Sequence, residues 1–169
     1  MTSTKTLNMV DSIVLAEYIL ERGGPMSHLK LQKLLYYIQG LHLAYFDAPI
    51  ISDDFQAWLH GPVSRRLYDA VKGYSVLHTE VCYVPAENKE SPSIILENEL
   101  TVDQLELVND VIDEYGKLTA SQLENLTHSE YPWINARKGY AIADVCEVVI
   151  PKEVMREYYK KELYGQAKG

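Results

Sequence analysis

Five histidines, His28, His42, His60, His78 and His128, and two cysteines, Cys82 and Cys146, have the widest chemical repertoire in this 169-residue chain. A zinc site gathers three or four His, Cys or carboxylate ligands, and short paired spacings are its mark in a sequence. Here the histidines are scattered, no HExxH occurs and neither cysteine has a CxxC companion, so no metal is expected. A nucleophile made of Cys82 and His78 needs an electropositive pocket and an orienting third residue. Neither is visible, and both thiols read as reduced, inert structural groups. Gly23-Gly24 lacks the spacing and the following Lys-Ser/Thr of a phosphate loop, so no cofactor is expected either. The carboxylates lie on amphipathic helices, where solvent should be. The one acid–base arrangement left is His60 with a carboxylate brought to it in a concave site, which would make the chain a small enzyme.

Two clusters combine rare aromatics with rigid turns. Trp58 precedes His60, Gly61, Pro62 and Val63, followed by Tyr68 and the adjacent Arg65 and Arg66; Thr127 and His128 precede Pro132 and Trp133. Tryptophan beside proline marks either a well-packed corner or a binding face, and the residues alone leave both open.

The elements that must position these residues follow from periodicity. Met9, Ile13, Ala16 and Leu20 predict a helix over 8–22, ended by Gly23-Gly24-Pro25. Ser27 then caps a helix over about 29–46, in which Leu31, Leu34, Leu35, Ile38, Leu41 and Tyr45 keep the helical period while Tyr36, Tyr37, Leu43 and Ala44 fill the other faces. A helix apolar nearly all round is a central one. Gly40 in its interior implies a backbone or bulky ring packed close by, or simply a tolerated glycine. A short strand is expected at 55–59, and Pro62 should open a helix at 63–72 with Val63, Leu67, Ala70 and Val71 inward. Residues 81–84 and 94–96 are strand-like around a mobile 85–92 tip. Thr101 with Gln104, and Thr119 with Gln122, have capping-box spacing, and Pro132 can start a short helical turn. A strand at 145–150 is expected to pair with 55–59, before a last helix from Pro151 carrying Val154, Met155, Tyr158, Tyr159 and Leu163 on its apolar side. The whole reads as one domain, 1–169: a mainly α, compact helical bundle around the buried central helix, with a minor β element of two or three short strands. The segment 75–100 is a variable loop or hairpin, and 165–169 a frayed tail.

Hydrophobic residues make up 47% and charged residues 24%, enough for a core without staples, and 13 Tyr stand against 2 Phe. Tyrosine suits surfaces buried at one end and wet at the other, so these line either the core or an interface. The net charge of -8 repels phosphate backbones, which argues against nucleic acid as primary partner. The polar start of the chain and the lack of any long apolar run predict a cytoplasmic protein with no membrane partner.

At the same residues the sequence resembles the Panacea antitoxin domain family, also called SocA-like or phage-associated proteins. The resemblance lies in Lys30, Leu31, Gln32, Lys33, Tyr36, Tyr37, Gln39 and Gly40, in Trp58 before His60, Gly61, Pro62 and Val63, in Tyr68, and in Thr127 and His128 leading to Pro132 and Trp133. Where such proteins often carry Tyr or Arg before Gly-Pro, this chain has His60. The resemblance implies a mainly helical fold and a non-catalytic domain that neutralises a cognate protein toxin by direct binding, encoded beside it in bacteria or prophages. One branch instead presents the bound toxin to a protease as an adaptor. The motif brings no catalytic residues, and its members serve either the fold or partner binding. Toxin specificity in such families often sits in added segments, here 75–100 and the last helix. A homo-oligomer is compatible with all of this.

Overall fold

In the computed structural model, which describes residues 6–72 and 77–168, Ser27 opens the helix around which the rest is built. Its hydroxyl accepts from the Lys30 amide, and helix α2 runs His28–Phe46 with Leu31, Leu34, Leu35, Tyr36, Tyr37 and Ile38 sealed from solvent. Around it pack α1 (Ser12–Gly23), α5 (Val102–Tyr115), α6 (Ala120–Ser129), α8 (Lys152–Lys168) and a small sheet. The remaining elements in chain order are β1 (Met26–Ser27), β2 (Phe55–Trp58), β3 (Gly61–Ser64), α3 (Arg65–Val71), β4 (Glu80–Val81), α4 (Pro92–Glu99), α7 (Tyr131–Ala136) and β5 (Val149–Ile150). The mainly α fold with minor β structure therefore stands. The tail expected to fray, 165–169, ends in the last turns of α8, and its final residue lies outside the described residues.

The local signals for helix starts hold where the cap is explicit. Thr101 with Gln104 and Thr119 with Gln122 both form reciprocal capping boxes. Elsewhere the structure corrects the expectation. Helix α1 starts at Ser12, because the Asp11 carboxylate takes the Ile13 amide as its cap. Met9 therefore precedes the helix and is 53% exposed, and Leu15, Ala16, Ile19 and Leu20 form the buried stripe.

Pro62 does not open a helix. Residues Gly61–Ser64 fold back on Phe55–Trp58 as an antiparallel hairpin with a turn of Leu59 and His60, and α3 begins only after Ser64, whose hydroxyl accepts from Leu67 N. The strand order β3-β2-β5 leaves β3 at an edge, the place in a sheet where a residue without an N–H is tolerated. Val63 is buried as expected, but in a strand, and Ala70 faces solvent. Residues 94–96 belong to α4, not to a strand, because Ser91 caps and Pro92 occupies the first turn. No hairpin forms with 81–84, since Val81 pairs with Met26 and Glu80 with Ser27. Cys82, just past that pairing, is exposed, while Cys146 is buried. The expected 75–100 loop thus contains β4 and α4, and its residues 75 and 76 lie outside the described residues.

The expected pairing of 145–150 with 55–59 holds over a shorter stretch. Val149 and Ile150 pair with Gln56 and Phe55, and Ala57 N donates to Val148 O at 2.9 Å. Val145 is 85% exposed. On α8, Met155 and Tyr159 are buried while Leu163 lies at the surface, and Tyr45, placed on the core stripe of α2 by period alone, points out near the helix end.

Candidate functional site

Gly61 is the point at which three separated parts of the motif meet. Its φ of 110° is a left-handed conformation that favours glycine, and a Cβ there would lie 2.5 Å from Lys33 Cε and 2.8 Å from Thr127 Oγ1. Lys33 comes from α2 and Thr127 from α6, so the hairpin is set down between two helices with no room for a side chain. Lys33 is wholly buried and its Nζ donates to Pro62 O at 2.9 Å. Burial pushes its amine down to about 7, against the opposing charge of Glu124. One residue earlier, Gln32 clamps the end of the same hairpin: its Oε1 accepts from Ser64 N at 2.9 Å and its Nε2 donates to Ser64 O at 3.2 Å. Gln39 does the same for the loop after α2, accepting from Ile50 N and Ile51 N and donating to Ile51 O.

The tryptophan clusters are one cluster in space. Trp133 Nε1 donates to Trp58 O at 2.8 Å, and His128 stacks on Trp133 with centroids 4.0 Å apart. Tyr68 meets Trp58 edge to face and stacks near His28, with Arg65 over both Trp58 and Tyr68. Pro132 is buried at the start of α7. Both tryptophans are half-buried and held by the hairpin and the α6–α7 corner, a packed corner with partly open ring faces.

His60 does have a carboxylate. Its Nδ1 lies 2.5 Å from Glu124 Oε1, with the His60 side chain 41% exposed and that of Glu124 21%. The pair stands at the tip of the two-residue turn and ties the hairpin to α6. Such a pair can relay a proton, but a general acid–base also needs a recess that holds the reacting group beside it.

A third motif group faces α8. A Cβ on Gly40 would sit 2.8 Å and 2.9 Å from the Tyr159 ring, so the bulky ring implied by that glycine is Tyr159. Tyr37 and Tyr159 hydroxyls both donate to Glu130 Oε1, at 2.7 Å and 2.8 Å, and Tyr36 OH lies 3.0 Å from Tyr159 OH. Glu130 is only 8% exposed, contrary to the expectation that carboxylates face water, and burial pushes its carboxyl up against the pull of the two hydroxyls. Leu31 is buried, and Lys30 reaches across to donate to Gly116 O at 2.7 Å.

Two structural supports of these clusters were not legible in the sequence. Arg137 is 6% exposed and donates to Ala57 O, Ala141 O, Ile142 O and Asp144 O, with its guanidinium 5.2 Å from the Trp133 ring centre. Its only sequence signal is its place four residues after Trp133. Glu130 lies between His128 and Pro132, but nothing local marks it as buried. Among the described residues no group of three or more His, Cys, Asp or Glu could hold a metal, and no helix is long and apolar enough to cross a membrane.

Comparison with known proteins covers the segment that carries these residues. The family model described as antitoxin SocA-like, Panacea domain matches residues 31–134, more than half of the chain and nearly the whole span of the motif. The chain is also 28% identical over 135 residues to antitoxin SocA of Caulobacter vibrioides (strain NA1000 / CB15N), covering 77% of this chain and 72% of that protein. No solved structure matches it.

Proposed function

The chain belongs to the antitoxin SocA-like, Panacea domain family, and from that premise we propose that it neutralises a cognate protein toxin by binding it directly, without catalysis. The carrying observation is the place of the motif. Lys33, Gln32, Gln39, Tyr36, Tyr37 and Gly61 bond or pack inward, which supports reading this part of the motif as scaffold and partner choice as a matter of the outer surface. A scaffold of this kind, in a chain of net charge -8, suits a protein partner and repels nucleic acid. We place the pair in the cytoplasm and in a phage or mobile element, with the toxin gene adjacent.

Co-expression with the product of the adjacent gene tests this. The neighbour alone should arrest growth, and the pair should grow and co-purify. A neighbour that is harmless alone and does not co-purify would remove the proposal's support. Pulse-chase of the neutralised partner separates two modes: an unchanged half-life marks plain neutralisation, and a shortened one marks delivery to a protease. The close His60–Glu124 pair motivates a small enzyme as the reading from another class. It requires His60→Ala to abolish the protective effect while the variant still folds and still binds the partner.

A further inference from the structure

Helices α5 and α8 both pack on α2 and leave a trough between them, about 360 Å³ in volume. Leu41 and Leu126 line it from α2 and α6. Leu107, Val111 and Tyr115 follow one another along α5 at intervals of one turn, a stripe about 12 Å long at 1.5 Å per residue. Leu163, 36% exposed, forms the opposite lip on α8. The stripe is the length of two turns of a helix, and apolar residues set at i, i+4 and i+7 on such a helix would meet it.

Apart from the tyrosine hydroxyls, the ionisable groups described around the trough are all carboxylates. Asp110 and Glu114 stand on α5, Glu162 on α8, and the buried Glu130 between them. Among the described residues no Lys, Arg or His lines the trough. Lys117 pairs with Glu114 at 3.4 Å, and Asp110, Glu130 and Glu162 make no ion pair among the described residues. An apolar floor within a carboxylate rim repels anionic lipid and nucleic acid and rewards a segment carrying cations beside its apolar residues. Helix α8 lies outside residues 31–134, so one wall of the trough is a segment the family model does not match.

We infer that the trough between α5 and α8 docks a basic amphipathic helix of the partner, apolar residues against Leu107, Leu126 and Leu163 and a Lys or Arg over Asp110 and Glu162. This rests on the antitoxin reading only for who the partner is; the chemistry of the occupant comes from the trough itself.

The probe is a synthetic amphipathic peptide of about fifteen residues, with a Leu stripe flanked by Lys and Arg, set beside a counterpart in which Glu replaces every cation. The basic peptide should bind and shift the methyl signals of Leu126 and Leu163, and the acidic one should not. Affinity should fall about tenfold or more in Asp110→Lys/Glu162→Lys and in Leu163→Asp, and stay within about twofold in Glu87→Lys/Glu90→Lys, which makes the same charge change between β4 and α4. Equal binding of both peptides, no binding, or undiminished binding to the trough variants overturns the inference. So does a concentration-dependent dimer that the same substitutions dissolve, which would give the trough to a second copy of this chain. Co-expression with the adjacent gene product separates the two claims. If the native chain protects and the trough variants protect equally, the trough is the wrong surface and the antitoxin reading stands. If the native chain protects against nothing while the peptide results hold, the antitoxin reading fails and the trough stands.

Discussion

Gly61 and Lys33 give the motif its sharpest tests. An alanine at position 61 meets both a φ of 110° and contacts of 2.5 Å and 2.8 Å, so Gly61→Ala should cost about 3 kcal/mol, read as a lower urea midpoint with unchanged slope. Lys33 makes a prediction in pH. Its amine is held at about 7 in the folded chain and returns to its ordinary value of 10.5 on unfolding. Between those values the unfolded chain binds more protons, so this group makes stability rise with pH, and below 7 its contribution is flat. Melting temperatures from pH 7 to 9 should therefore rise more steeply in the native chain than in Lys33→Met, and parallel curves would show that the amine is not desolvated. Caps such as Ser27, Thr101 and Thr119 were legible because each acts over three residues. The burial of Lys33 and Glu130 was not, because their partners lie on other elements.

The pairing of α2 with α8 includes one especially close approach, Gly40 against the Tyr159 ring. Gly40→Ala gains about 1 kcal/mol of helix propensity but drives a methyl into the Tyr159 ring, at a cost of about 1–3 kcal/mol. The variant should be less stable by about 1 kcal/mol in urea denaturation, and in a Tyr159→Leu background the same change should become neutral or stabilising. The structure also explains which elements sequence pattern places correctly. Helix α2 was legible because its apolar residues repeat over many turns. Residues Gly61–Ser64 and 94–96 were misplaced because short apolar runs have no period long enough to tell strand from helix. For the first, pairing with β2 decides; for the second, the Ser91-Pro92 start outweighs the two isoleucines.

At the scale of the whole molecule, the family span and the stable unit differ. Residues 31–134 hold all of the motif but Lys30, yet α8 covers Tyr36, Tyr37 and Gly40 and supplies Tyr159 to the Glu130 network. A chain ending at Pro151 should lose its cooperative thermal transition by circular dichroism, and retention of a sharp melt would show that 31–134 carries its own core. The segment after α7 is held in a different way. Arg137 grips Ala141, Ile142 and Asp144 by their carbonyl oxygens, while Ile142 and Val145 stand 86% and 85% exposed. Within this loop the guanidinium touches only carbonyl oxygens, so its grip does not depend on the side chains of Ile142 and Val145. Ile142→Asp and Val145→Asp should thus change stability by less than about 0.5 kcal/mol. Positions 142 and 145 are thus free to change at little risk to the fold, so the loop can present a new surface without a new scaffold.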